Sequence, residues 1–200
     1  RERVPMENPF VYGEVVPAGA FVDREEELAR LSADLRAGQK IFLISPRRYG
    51  KSSLIRRALE DAARRGCLTV EVTVSSYSSY LAFLEGYARA VLSAETKLPR
   101  ALAWLREAIG ATRPEVRLEE GRDGGTGLAV SFPAVRSARD VARLAPEVFA
   151  LPARLAESRG RRVVVALDEF QAIAGFNGGS VEEALRAAVQ HQRQVGYVFA

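Results

Sequence analysis

The sequence contains very little cysteine, histidine or lysine, and each shortage limits what the chain can do. Of its 200 residues, one is cysteine and one is histidine. A single cysteine, Cys67, cannot form an internal disulfide, and together with His191 it cannot build a zinc site, so any metal must arrive with a ligand. No run approaches the roughly 18 apolar residues of a membrane span, and the first residues lack the pattern of a signal peptide. These absences predict a cytoplasmic chain that has no membrane partner.

Arginine dominates the charged residues. Lysine and arginine number 29 against 25 acidic residues, which gives a net charge of +4 and an isoelectric point near 9.5. This excess permits contact with a polyanion, and DNA therefore stays open as a weakly supported partner. Along the sequence, however, the basic residues are scattered and form no run. The only lysines are Lys40, Lys51 and Lys97, so Lys51 stands out.

Short apolar runs alternate with helical patterns along most of the chain. Continuous apolar runs bounded by turn residues are typical of parallel strands covered on both faces, and intervening helices favour right-handed βαβ units. The fold class predicted is therefore α/β with a parallel sheet. We predict strands at 40–45, 68–75, 161–168 and 195–200, and helices at 24–37, 52–65, 80–94, 99–109, 138–158 (interrupted near Pro146 and Pro152) and 180–194.

Three parts of the chain depart from this alternation. Residues 1–22 contain three prolines among isolated apolar residues, which predicts an extended arm. Residues 76–137 are predicted to be a helical and β-hairpin insertion, in which the hairpin spans 115–132 around a glycine-rich tip. This hairpin is a candidate contact for a partner. The last strand stops at Ala200 without a following turn, so we expect the natural protein to continue.

The segment 45–52 is the first candidate site. It matches the phosphate-loop pattern G-x-x-x-x-G-K-[ST] except that serine occupies the first position, and it lies between a predicted strand and a predicted helix. In that context backbone N–H groups and the helix dipole face phosphates, Lys51 can bridge the outer phosphates, and Ser52 offers a hydroxyl to magnesium. The predicted nucleotide-binding residues are Ser45, Pro46, Arg47, Arg48, Tyr49, Gly50, Lys51, Ser52 and Ser53.

Two adjacent carboxylates end the third apolar strand and form the second candidate site. Ligands of open parallel sheets bind beyond the carboxyl ends of the strands, so Asp168 is expected to reach the same crevice as Ser52 and to share magnesium with it. Where the chain turns, Glu169 can orient and deprotonate a water molecule aimed at a terminal phosphate. Lys51 and Glu169 are therefore the predicted catalytic residues, and Ser52 and Asp168 the predicted metal ligands.

Four segments together resemble the archaeal-type P-loop ATPase family, near the AAA+ and STAND groups. They are Asn8-Pro-Phe10, Phe21-Val-Asp-Arg-Glu-Glu-Glu-Leu28, Pro46-Arg-Arg-Tyr-Gly-Lys-Ser-Ser53 and Ala166-Leu-Asp-Glu-Phe-Gln171. The resemblance implies a three-layer αβα P-loop NTPase with five parallel strands, of which four are visible, and an adenine pocket built partly by residues 21–24. It implies that 1–200 is one ATPase domain, C-terminally incomplete. Family members usually have glycine at the position of Ser45, where serine is expected to weaken the loop without abolishing binding.

The function predicted is an ATP-binding module that hydrolyses ATP with magnesium to drive or switch a partner. The alternative is a nucleotide-dependent regulatory or DNA-associated switch with little intrinsic hydrolysis. A GTPase fits less well because Asp168 is followed by Glu-Phe-Gln, without a glycine for the terminal phosphate, and a small-molecule kinase would not need Glu169. An unidentified protein partner and self-association both stay open.

Overall fold

The computed structural model of the protein describes residues 24–44, 50–94, 103–107, 109, 113–120, 126–176 and 180–200. Its main feature is a four-stranded parallel sheet, beside which lies a two-stranded antiparallel ribbon. The α/β class with a parallel sheet is therefore confirmed. The strands are β1 (Lys40–Phe42), β2 (Leu68–Thr73), β3 (Glu115–Glu120), β4 (Thr126–Ser131), β5 (Val163–Asp168) and β6 (Val195–Phe199).

Helices connect the parallel strands and cover both faces of the sheet. Short 3-10 turns at Val74–Ser76 and Phe170–Gly175 follow β2 and β5, and residues 103–107 are helical. No described helix is long and apolar enough to cross a membrane. The helices are α1 (Arg24–Arg36), α2 (Lys51–Arg64), α3 (Tyr80–Ser93), α4 (Ala138–Phe149), α5 (Leu151–Arg159) and α6 (Ser180–Val189).

The strand order in the parallel sheet is β1–β6–β5–β2. Strand β5 lies inside the sheet and all six of its residues are buried, as its continuous apolar sequence predicts. Strand β6 is also fully buried and lies between β1 and β5, paired with both. Strand β1, which precedes the predicted phosphate loop in the sequence, and strand β5, which ends at Asp168, are thus separated by β6.

Each face of the sheet packs against its own set of helices. On β5 the odd-numbered residues Val163, Val165 and Leu167 join the larger core, while Val164 and Ala166 join the smaller one. This alternation follows from the two-residue repeat of a strand. Side chains of α3, α4, α5 and α6 fill the larger core, and those of α1 and α2 fill the smaller core.

Helix α1 approaches β6 closely because Gly196 has no side chain. A Cβ atom built at Gly196 would lie 2.0 Å from the carbonyl oxygen of Leu35. On the other face of β6, the hydroxyl of Tyr197 donates a hydrogen bond of 2.7 Å to Gln192, whose amide donates 2.8 Å to the carbonyl of Phe149. Buried polar groups here are paired, as burial requires.

Strand β1 is shorter and more exposed than predicted. The predicted strand 40–45 ends at Phe42, and the prediction that both faces are covered is wrong, because Phe42 is 58% and Ile44 78% exposed. The reason is topological. Within the described ranges, strand β1 pairs only with β6, which ends at Phe199, opposite Phe42.

Two helix boundaries also differ from the prediction. Pro146 does not interrupt its helix, since α4 continues through it to Phe149. The break lies at Ala150, just before α5 begins at Leu151 with Pro152 in its first turn. Proline is tolerated in the first turn of a helix, where its missing N–H has no partner to lose. Helix α6 ends at Val189, earlier than the predicted 194.

The predicted hairpin is present. Strands β3 and β4 pair antiparallel, with Val116 opposite Val130 and Leu118 opposite Leu128. The ribbon packs on α3, and Glu85 of α3 accepts a hydrogen bond of 3.2 Å from the backbone N–H of Phe132. The predicted arm at 1–22 and the tip of the hairpin lie outside the described residues.

Candidate functional site

The candidate site lies at the carboxyl ends of the parallel strands. Helix α2 begins at Lys51 directly after Gly50, which adopts a left-handed conformation with φ of 67°. Glycine reaches this region without steric cost, and here it turns the chain into the first turn of α2. Lys51 and Ser52 therefore start a 14-residue helix whose amino terminus points toward the end of β5.

Two motifs that are far apart in the sequence meet at Asp168. The hydroxyl of Ser52 donates a hydrogen bond of 2.6 Å to Oδ2 of Asp168, across 116 positions of sequence. The Lys51 ammonium lies 4.0 Å from Oδ1 of the same carboxylate. The Asp168 side chain is 11% exposed and that of Lys51 is 24% exposed, so solvent screens this pair less than it would a surface pair.

Glu169 turns the chain out of β5 through a strained backbone conformation. Its φ is 54°, in the left-handed region that side chains other than glycine rarely adopt. Such a residue costs about 1–3 kcal/mol and persists only where its surroundings hold it. Two bonds do so here: the N–H of Glu169 donates 2.9 Å to Oδ1 of Asp168, and the next N–H, that of Phe170, donates 2.7 Å to the carbonyl of Ala200.

The side chain of Glu169 is exposed and has a hydrogen-bond partner in the turn that follows the neighbouring strand, β2. The hydroxyl of Ser75 donates a hydrogen bond to Oε2 of Glu169. Ser75 lies in the 3-10 turn after β2, and β2 pairs with β5 so that Thr73 is opposite Asp168. Ser75 is the site residue that the sequence analysis missed. A hydroxyl just beyond a strand indicates a site residue only if that strand is known to lie next to β5.

Aromatic rings form an apolar wall next to the acidic residues. Phe42 stacks on Phe199 with ring centroids 4.7 Å apart, and Phe170 contacts Phe199 edge to face at 5.0 Å. Phe42 stays 58% exposed at the end of β1. The site therefore combines a charged centre with a partly open apolar side.

The predicted nucleotide-binding residues divide into two groups. Gly50, Lys51, Ser52 and Ser53 lie at the start of α2, where Ser53 is exposed. The remaining predicted residues of the loop, from Ser45 through Pro46, Arg47 and Arg48 to Tyr49, lie outside the described residues. So does the adenine pocket expected at 21–24, of which only the helical backbone of the last residue is described.

The hydroxyl of Ser52 and the carboxylate of Asp168 suit magnesium. Magnesium usually takes one or two protein oxygens and completes its shell with water and substrate phosphates. Within the described parts of the chain, no group of three or more histidine, cysteine, aspartate or glutamate side chains is arranged to hold a metal alone. The pair thus offers the oxygen ligands that a magnesium ion would use if it arrived with a phosphate ligand.

Neither the protein-family models nor the curated proteins include a match to this sequence. The chemistry of the residues around Asp168 is therefore the basis for assigning a function. That chemistry consists of one ammonium, two hydroxyls and two carboxylates, which meet where helix α2 begins and strand β5 ends.

Proposed function

We propose that this chain is an ATP-binding P-loop ATPase module that hydrolyses ATP with magnesium. The observation that carries the proposal is the meeting of Lys51 and Ser52 with Asp168 at the carboxyl edge of the sheet. Crevices at this edge are where open α/β sheets bind ligands, and a helix amino terminus attracts phosphate. The residues expected from two separate motifs are thus available to one ligand.

Each residue has a role that its position supports. The Lys51 ammonium neutralises charge on the outer phosphates, and it lies 4.0 Å from the carboxylate of Asp168. The oxygens of Ser52 and Asp168 would hold magnesium, which supplies positive charge to the phosphates when it is bound. Glu169, exposed and next to Asp168, accepts a proton from the attacking water.

One observation favours the slow-hydrolysing form of this function, in which the nucleotide acts as a switch. The hydrogen bond from Ser75 occupies one carboxylate oxygen of Glu169. That oxygen must be released, or the second one used, before Glu169 can take a proton from water. A module in this state binds nucleotide and hydrolyses it slowly until a partner shifts the contact.

The first experiment titrates the chain with a fluorescent ATP analogue and magnesium and follows phosphate release in the same samples. Three variants are compared with the unchanged sequence: Lys51→Ala, Glu169→Gln and, as a matched control, Arg57→Ala. The control removes one positive charge from an exposed position of the same helix. Thermal unfolding of each variant establishes that all four proteins are folded.

We expect Lys51→Ala to weaken binding at least about tenfold, because one lost charge-assisted contact to phosphate is worth roughly 1.5–3 kcal/mol. Glu169→Gln should retain binding and lose phosphate release, and Arg57→Ala should retain both. A folded chain that binds no nucleotide would refute the proposal. Equal binding by Lys51→Ala and the control would remove Lys51 from the site.

A further inference from the structure

Four turns at the amino-terminal edge of the sheet carry an unusual amount of positive charge. They are residues 36–39, 64–67, 159–162 and 190–194, and each joins the end of a helix to the start of a parallel strand. Together they contain seven arginines and no aspartate or glutamate. We call this surface the arginine edge, and its arginines are Arg36, Arg64, Arg65, Arg159, Arg161, Arg162 and Arg193.

Hydrogen bonds connect each of these turns to the next. Arg161 donates to the carbonyls of Gly66 and Cys67 at 2.7 and 3.4 Å. Arg162 donates to the carbonyl of Arg193 at 3.5 Å. Lys40, the first residue of β1, donates to the carbonyls of Gly38 and Gln192, each at 2.8 Å, and so joins the turn at 36–39 to that at 190–194. The four turns therefore form one continuous surface, although they are far apart in the sequence.

The charge on this surface exceeds what the fold itself needs. Four helices end here, and the partial charge at each carboxyl terminus is about −0.5, so roughly two positive charges would balance them. Asp61 offsets part of the charge by pairing with Arg64 and Arg65 at 3.5 and 3.0 Å. The seven arginines still exceed the net charge of +4 of the entire chain, which leaves the remainder of the protein negative overall.

The composition of the arginine edge suits phosphates better than a protein surface. Arg161, Arg162 and Arg193 are exposed, and Arg64 is 69% exposed. The centre of a protein interface is depleted of charged residues and enriched in aromatic ones, and the exposed large hydrophobic residues of the described chain, Phe42, Ile44 and Leu118, lie elsewhere. Guanidinium groups bind phosphate oxygens in pairs and hold the polyanion without reading its sequence.

We propose that the arginine edge binds the sugar-phosphate backbone of a nucleic acid, independently of its sequence. The six residues of β5 place this surface about 20 Å from Asp168, at the rise of about 3.3 Å per residue of a parallel strand. The two sites therefore do not share side chains. Binding of the sugar-phosphate backbone does not depend on the proposed ATPase function.

Fluorescence anisotropy of a labelled DNA duplex of about 20 base pairs, two helical turns, tests this proposal. The test variant is the triple substitution Arg64→Gln, Arg162→Gln and Arg193→Gln. The matched control is Arg30→Gln, Arg139→Gln and Arg143→Gln, which removes the same charge from exposed positions on α1 and α4. Each protein is titrated between about 50 and 200 mM salt, a range over which phosphate contacts change affinity strongly.

The unchanged chain is expected to bind with a slope of log K against log salt of about −3 to −4, which corresponds to about four phosphates. The test variant should lower the affinity at least about tenfold and reduce that slope by about two to three, while the control changes both much less. Equal losses in the two variants would mean that only the overall charge matters. No binding by the unchanged chain, or equal binding by the test variant, would also overturn the proposal.

Discussion

Gly196 is the glycine at which the packing leaves least room for a side chain. An added Cβ would lie 2.0 Å from the backbone of Leu35, which belongs to helix α1 and has no flexible end that can move aside. We expect Gly196→Ala to push α1 away from β6 and to lower the free energy of unfolding by about 1–3 kcal/mol, the usual cost of overpacking. Urea denaturation measures this loss.

Gly175→Ala is the matched control for that substitution. A Cβ at Gly175 would meet nothing within 4 Å, and its backbone has no positive φ. Its unfolding free energy should stay within about 0.5 kcal/mol of the unchanged protein, as for other exposed positions. If both variants lose the same stability, the close approach of α1 to β6 is not the cause.

Ser75 acts on the proposed mechanism through Glu169, whose carboxylate accepts its hydrogen bond. Ser75→Ala frees the carboxylate of Glu169 from its hydrogen bond. Because such a bond is worth about 0.5–1.5 kcal/mol, phosphate release should rise about twofold to tenfold, with nucleotide affinity unchanged. Ser76→Ala, which removes the exposed hydroxyl of the next residue, is the control. A slower rate in Ser75→Ala would mean that the bond orients Glu169 for catalysis.

At the scale of elements, one hydrogen-bonded contact joins α1 to α2. Ser32 of α1 is 1% exposed and donates to the carboxylate of Asp61 on α2, which also pairs with Arg65. The hydrogen bond from Ser32, followed by that from Arg65, holds the pKa of Asp61 below its ordinary value of 3.8. This contact therefore stabilises the fold above that ordinary pKa and is lost as the pH falls through the lowered one.

Ser32→Ala should reduce stability by about 1–3 kcal/mol near neutral pH, because a bond to a charged group is lost. Chemical denaturation at several pH values is expected to show this penalty shrinking as the pH falls below about 4, where the carboxylate of the unfolded chain becomes protonated. Ser93→Ala removes a hydroxyl that donates 2.9 Å to a carbonyl of its own helix. Its penalty should not depend on pH, and a pH-independent penalty in both variants would contradict the role of Asp61.

Patterns that depend on neighbours in the sequence predicted the elements well. The apolar run ending at Asp168 became β5, the alternating residues around the glycine-rich tip became the ribbon β3–β4, and Gly66 follows the end of α2 with φ of 90°. The wrong predictions concern burial, which depends on the order of strands in the sheet, and a single sequence does not show that order. Phe42 and Ile44 look like buried strand residues, but their exposure depends on which strands flank β1.

The residues of the candidate site also divide into those that local patterns predicted and those that depend on strand order. Lys51, Ser52 and Asp168 were predicted from local patterns, and the parallel sheet brings them together. The contact of Ser75 with Glu169 requires β2 to be the neighbour of β5, and the strand order is not visible in a single sequence. The left-handed backbone of Glu169 is likewise a product of the turn that leaves β5.

At the scale of the whole molecule, the two ends of the parallel strands carry different chemical groups. The connections at the carboxyl ends bring together Lys51, Ser52 and the carboxylates, and those at the amino ends bring together seven arginines. The basic residues that look scattered in the sequence recur at the ends of successive helices. Because all four strands of the parallel sheet run in the same direction, the helices that lead into them all end at the same edge of the sheet.

Strand β6 has one further consequence, because it lies between β1 and β5 and contributes to the candidate site the aromatic ring of Phe199 but no charged or hydroxyl group. Neighbouring strands are about 4.8 Å apart, so β1 and β5 are held about 10 Å from one another by two rows of backbone hydrogen bonds. The gap between the end of β1 and Asp168, at the end of β5, is therefore a backbone dimension. Side-chain substitutions on β6 can weaken the sheet, but only a change in strand order would alter the width of that gap.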